Sequence, residues 1–274
     1  MLTHPAFKAL ILLKTTTLSL LTCFLFAGCT SLAVTPVAEL APTGTLRAAI
    51  NFGNPILAMQ DAATGEPRGV SVDLSHELGR RLGVPVELVQ FTSAGKVVEA
   101  VRAGQVDIAF VGIDPVRGTD MLQTPPYVII EGVYLVKNDS PLKTNADVDR
   151  AGIRIAVGSG SAYDLFLTRE IRFATLVKAP TSPSVTDLFI AQNLEVAAGV
   201  KQQLQADATR LPGLRLFDER FMVIQQAMGL PKGRDAAARY QSAFVEEMKA
   251  SGFVAAALAR HGIKGAAVAT ARIP

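Results

Sequence analysis

Three stretches carry the side chains that could do chemistry. Val106–Asp120 reads VDIAFVGIDPVRGTD, a short apolar run that breaks at Gly112 and carries Asp114, Pro115 and Arg117 onto the following turn. A run of this length is one buried strand. In an open parallel sheet, ligands bind beyond the carboxyl ends of the strands. An arginine there can fork two parallel hydrogen bonds to a carboxylate, a geometry lysine does not match. The competing reading is an exposed pair between Arg117 and Asp114, worth only ~0–1 kcal/mol. The second stretch, Gly158-Ser159-Gly160-Ser161, stands before a helical segment. Free N–H groups, the helix dipole and two hydroxyls suit an anion there; the alternative is a plain N-cap by Ser161. It is not a dinucleotide fingerprint, because the third glycine is missing. The third is Glu131, a carboxylate in an apolar strand, where an unpaired charge is costly. It either pairs with Arg117 or faces a cleft or hinge. Phe52 and Asn54, just after the first strand, either line a pocket above it or pack their own loop.

Little else is reactive. Outside the leader the histidines are His76 and His261, and neither has a second ligand nearby in sequence, so metal binding is unsupported. There is no G-x-S-x-G elbow and no paired Cys/His candidate. The inventory does not demand catalysis, and no cofactor is expected.

The elements that must hold these residues alternate. Thr45–Ile50 reads as a strand and Val72–Gly83 as a helix with Leu74, Leu78 and Leu82 on one face. Val86–Phe91 is a second strand, Lys96–Ala103 a short helix, and Val106–Val111 a third strand. This order predicts a parallel sheet covered by helices. Tyr127–Lys137 is a long β-rich run interrupted at Glu131-Gly132, where a bulge or a close backbone approach is expected. Polar Asn138–Asp149 marks a domain boundary. A second α/β unit follows, with strands at Ile153–Val157, Thr175–Lys178, Glu195–Ala198 and Leu214–Phe217, a helix at Ala162–Ile171, and helices around 184–191 and 201–209. Phe221–Met228 is a further β-rich run. Asp235–Ala250 is a helix with Ala237, Tyr240, Phe244 and Met248 on one face, and Gly252 opens a last helix ending near His261. Lys264–Pro274 is expected to fray.

Composition bounds the rest. The chain has 274 residues, 49% of them apolar, which suits one large domain or two of ordinary size with a real core. Of 27 basic residues, Lys8 and Lys14 fall in the leader, so the remainder nearly balances the 24 acidic residues. No basic block argues for nucleic acid. Met1–Gly28 has the positive flank and short apolar run of a secretion signal. Leu25-Phe26-Ala27-Gly28-Cys29 resembles a lipobox, with Phe26 where leucine is usual; cleavage after Ser31-Leu32-Ala33 is the alternative. Cys23 lies in the leader, so Cys29 is the one cysteine left and an internal disulfide is excluded. Residues 29–43 read as a Pro/Ala-rich tether.

Five blocks, GVSVDLSHELGRRLGVPVE (69–87), AVRAGQVDIAFVGIDPVR (100–117), PPYVIIEGVYLV (125–136), GIRIAVGSGSAYD (152–164) and FVEEMKASGFVAAALARHG (244–262), occur in this order. Together they resemble the periplasmic solute-binding proteins of the amino-acid type, extracellular solute-binding family 3. The resemblance implies an α/β, two-lobed fold of the type II periplasmic-binding-protein kind, with two crossing hinge strands at 128–138 and 221–229 and a ligand cleft between the lobes. Lobe 1 would be 44–134 plus 225–274, and lobe 2 would be 138–222. The family's carboxylate-binding arginine matches Arg117, and its small-hydroxyl turn matches Gly160-Ser161, beside Ser159, though the next hydroxyl position is Ala162. The family's aromatic positions fall near Ala94 and near Gly53, beside Phe52. Its amine-binding carboxylate falls near Val200, so either Asp114 or Glu131 takes over a cationic group or the ligand is not a standard α-amino acid.

The function so implied is capture of a small polar solute, an amino acid or related carboxylate, for an inner-membrane ABC permease. The chain would be a monomer and not an enzyme, held outside the cytoplasm by a lipid on Cys29. Two alternatives use the same fold. One is a cyclohexadienyl-dehydratase-like enzyme, which needs a general acid such as Glu131 or Asp114. The other is a ligand-sensing signalling module.

Overall fold

The computed structural model describes residues 35–271; the leader and Cys29 lie outside the described residues. Helix α1 (Pro36–Leu40) leads into strand β1 (Leu46–Asn51), the hairpin β2 (Met59–Gln60) and β3 (Pro67–Arg68), and helix α2 (Val70–Leu82). Then come β4 (Val86–Phe91), α3 (Ala94–Arg102), β5 (Ala109–Gly112), β6 (Met121–Gln123) and the long strand β7 (Val128–Lys137). The middle of the chain forms β8 (Arg154–Gly158), α4 (Ala162–Glu170), β9 (Thr175–Ala179), α5 (Val185–Ala191), β10 (Val196–Val200), α6 (Lys201–Arg210) and β11 (Leu214–Leu216). A second long strand, β12 (Met222–Pro231), returns to α7 (Asp235–Ala250), α8 (Phe253–Arg260) and β13 (Ala267–Val268).

The expected parallel arrangement is present in each half. β1 pairs with β4 in parallel and meets the β5 segment through Ala48 and Ile108. β10, β8 and β9 are likewise parallel. The two antiparallel strands β7 and β12 join the halves in the order β5-β12-β7-β10-β8-β9. The first part of β12 pairs with β7, and its second part pairs with β5 and β6. These are the two crossings of a two-lobed α/β fold. Helix faces follow the apolar spacing: Leu74 and Leu78 of α2, and Ala237, Phe244 and Met248 of α7, are buried.

Of the two readings of Glu131-Gly132 the close approach holds, and two other expectations, the tether and the tail, differ in detail. The Glu131-Gly132 interruption makes no bulge, because β7 keeps an unbroken register with β12. Gly132 is instead a close approach: a Cβ there would lie 2.7 Å from Met222 Cγ and 3.0 Å from Phe221 Cζ. The described end of the tether is docked, with Leu40 fully buried and the Glu39 carboxylate accepting from Ala237 N at the start of α7. The tail is tied down as well, since Ala267 and Val268 pair with β7 and Ala269 N donates to Tyr127 O.

A buried charge cluster fastens lobe 1. Asp107, wholly buried, accepts Arg47 Nε and Nη2, both at 2.9 Å, and Arg234 Nη1 at 3.0 Å. Burial alone would raise its pKa, but the hydrogen bonds from Arg47 and Arg234 outweigh that and hold the carboxyl below the usual range. Asp107→Ala leaves two partly buried guanidinium groups without an anion and is expected to cost ~3–5 kcal/mol in urea unfolding. Because the folded pKa is depressed, the contribution is present above the unfolded pKa of about 3.9 and is lost as pH falls below it. Wild type should therefore lose stability on acidification more steeply than Asp107→Ala.

Candidate functional site

Strand β5 is buried along its length and ends at Gly112. A Cβ at Gly112 would lie 3.0 Å from Ile224 Cγ2 and 3.1 Å from Ala162 Cβ. Glycine therefore lets the start of α4, from the other lobe, come close. The turn after β5 swings Arg117 back under the strand, where it is 2 % exposed. Its Nη1 donates to Gly112 O and its Nη2 to Gly160 O, both at 2.7 Å. One guanidinium thus joins the carboxyl end of a lobe 1 strand to the lobe 2 turn. Burial lowers its pKa to about 10, against the raising influence of Asp114. It remains a cation at neutral pH.

The exposed Arg117–Asp114 pair does not form. Asp114 is 4 % exposed and accepts from Arg169 of α4, Nη2 to Oδ2 at 2.8 Å and Nη1 to Oδ1 at 3.3 Å. This second bridge crosses between the lobes 55 residues apart in sequence.

The facing wall is the Gly158–Ser161 turn. A Cβ at Gly158 would lie 2.7 Å from the Tyr163 hydroxyl and 2.8 Å from Ser182 Oγ, so both polar side chains pack over the end of β8. Gly160 has φ +68°, the left-handed region natural to glycine. Its own Cβ position is 2.9 Å from Gly95 Cα, across the cleft at the start of α3. Ser161 caps α4, accepting from Asp164 N at 3.0 Å, and Asp164 accepts from Gly160 N at 2.8 Å. The N-cap reading of Ser161 holds, and the residue also faces the cleft.

Between these walls Asn51, Asn54, Arg117, Ser161, Tyr163, Ser182 and Gln226 meet the small or apolar residues Gly53, Ala94, Gly112, Ala162 and Val200. The cavity they enclose is about 30 Å³. Of the residues singled out from sequence, Asn54, Arg117 and Ser161 line it, and Gly160 contributes its carbonyl to Arg117. Ala94, Gly53 and Val200, the positions where the resemblance places two aromatics and a carboxylate, line it too.

Four positions lie elsewhere. Phe52, partly buried, packs against the core and does not line the cavity, and its backbone N donates to Phe91 O. Ser159 is held by its backbone N to Ala179 O and does not line the cavity. Asp114 is engaged by Arg169. Glu131 does not meet Arg117 or line the cavity; it sits on the crossing strand β7, the hinge position expected of it, and accepts Lys201 Nζ at 3.0 Å and Arg220 Nη1 at 2.8 Å. These two cations, with side-chain hydrogen bonds from Arg220 and then Lys201, lower its pKa.

Asn51, Tyr163, Ser182, Gln226 and Arg169 were not legible as site residues. Asn51 and Gln226 had a usable signal, a polar residue at the end of or within an apolar strand. Arg169 had none, since its partner is distant in sequence.

The Gly95–Gly160 contact sets how near the lobes can come. Gly160→Ala is expected to leave the circular dichroism spectrum unchanged but hold the lobes apart, giving a larger radius of gyration in solution scattering. Gly95→Ala, whose Cβ would meet Gly160 Cα at an ordinary 3.6 Å, should leave the radius unchanged.

Among solved structures, the chain resembles the solute receptor for L-cysteine of Neisseria gonorrhoeae, at 22% identity and TM-score 0.73 over 84% of this chain and 94% of that one. It also resembles a mutant of ArgBP from T. maritima, at 19% identity and TM-score 0.71 over 83% and 99% of the two chains. A third is the ancestral amino acid-binding protein AncCDT-1, a precursor of cyclohexadienyl dehydratase, at 19% identity and TM-score 0.70 over 83% and 99%. The shared fold is the type II periplasmic-binding fold of two lobes. No curated protein matches the chain by sequence. The family model for bacterial extracellular solute-binding proteins, family 3, matches residues 46–263, and the chain belongs to that family.

Proposed function

We propose that this chain is an extracytoplasmic solute-binding protein that captures a small carboxylate, an amino acid or a related acid, and delivers it to an ABC permease. The observation that carries the reading is Arg117: a buried guanidinium at the carboxyl end of β5, bonded to carbonyl groups of both lobes. A carboxylate entering between the lobes can replace two neutral acceptors with two charged ones, and charge-assisted bonds are roughly twice as strong. Lobes at 44–134 with 225–274, and at 138–222, rotate about β7 and β12 to admit and enclose it. The enzyme alternative loses its general-acid candidates, because Asp114 and Glu131 are both held in ion pairs away from the cavity. A lipid on Cys29 keeps the protein at the membrane beside its permease.

A thermal-melt screen of the purified protein against amino acids, polyamines, small carboxylates and prephenate tests the reading. A ligand at 100 times its dissociation constant should stabilise by about 2.7 kcal/mol. Arg117→Ala should abolish that shift while the protein still melts cooperatively. A ligand-induced shift that survives in Arg117→Ala, or consumption of prephenate, would contradict it. For the anchor, Cys29→Ser should release the protein from the membrane fraction; persistent sedimentation with membranes would count against lipidation.

A further inference from the structure

We infer that the solute is a small monocarboxylate whose second polar group is an uncharged hydroxyl instead of an ammonium. This rests on the solute-binding reading above and names the substrate class of the same cleft. Among the described residues lining the cavity, Arg117 is the one charged side chain, and none is a carboxylate. Asp114, Glu131 and Asp164 do not line the cavity, and each is paired with a cation of lobe 2. Asp114 is held by Arg169, Glu131 by Lys201 and Arg220, and Asp164 lies 3.3 Å from Lys178 while accepting from Gly160 N. An ammonium enclosed here would lose its water without gaining an anion, which is strongly unfavourable. Val200, which lines the cavity, is aliphatic and 9 % exposed.

The remaining polar groups suit a neutral partner. Arg117 Nε, a donor, and Asn54 Oδ1, an acceptor, are both buried with no hydrogen-bond partner. A carboxylate answers the first and a hydroxyl the second. Burial pushes the Tyr163 hydroxyl pKa up, so it too stays a neutral donor and acceptor. Size follows from the walls. Glycine or alanine at 53, 94, 112 and 162 brings backbone close to the ligand, and the adjoining recess between Ile56, Val200 and Leu204 measures about 10 Å³. Short acids are therefore the probes of choice.

The test is calorimetric titration with isosteric pairs: glycolate against glycine, and each enantiomer of lactate against the matching alanine, with pyruvate added. The hydroxy acid should bind at least about tenfold more tightly than its amino counterpart, and pyruvate, which cannot donate to Asn54 Oδ1, should bind more weakly than lactate. Val200→Asp should reverse the order, gaining the amino acid and losing the hydroxy acid. An amino acid that binds wild type as tightly as its hydroxy isostere overturns the inference while leaving the solute-binding reading in place. A shift with a larger solute from the broad panel, with none of these probes bound, does the same. No binding by any solute in either experiment overturns both. If Val200→Asp melts far below wild type, Val200→Asn is the substitute; it should narrow the gap between the pair, and an unchanged gap would contradict the assignment.

Discussion

The buried guanidinium of Arg117 is the interaction on which the rest of the site depends. A fully desolvated arginine is expensive unless its donors are matched. Here two of them reach carbonyl oxygens belonging to opposite lobes, Gly112 and Gly160. The charge therefore does two jobs. It draws the lobes together, and it stays poised for an acceptor better than a neutral carbonyl. The glycines at 112 and 160 are needed for the same reason, since a side chain at either would push the walls apart or into strain.

Around that centre the protein separates its charges with care. Asp107 with Arg47 and Arg234 fastens the base of lobe 1, well away from the cleft. Glu131 with Lys201 and Arg220 braces the crossing strands, where Tyr134 and Phe221 stack with centroids 4.4 Å apart. Asp114 with Arg169 closes the cleft from the side. None of these carboxylates lines the cavity, where Arg117 is the one charged side chain among the described residues, set among amides and hydroxyls. An environment of that kind selects by charge type, because a second cation finds nothing to offset its lost hydration.

Much of the fold was legible because its signals are local. The apolar runs at 45–50 and 153–157, the alternation at 86–91 and the leucine spacing of α2 point to strands and helices without knowledge of the whole. Arg117 was legible as well, by its place at the end of a buried strand. Long-range pairings left no such trace. Nothing near Glu131 announces that Lys201 and Arg220 converge on it, and the loop 92–95 does not reveal that Gly95 will touch Gly160. The docked helix at 36–40 was hidden too, because one buried leucine and one capping glutamate are too short a pattern to read as periodicity. The missing cleft carboxylate is the opposite case: a departure from the family's pattern at Val200 that the sequence exposes and the cavity makes meaningful.

The most direct measurement is nitrogen-15 NMR of the arginine side chains, with Arg117 assigned by its absence in Arg117→Lys. At neutral pH the Arg117 Nε–H should exchange slowly with water, as a buried group must, and its resonance should shift when the solute that stabilises the protein is added to saturation. An Nε–H that exchanges as fast as those of exposed arginines, or a resonance unmoved at saturation, would contradict the account.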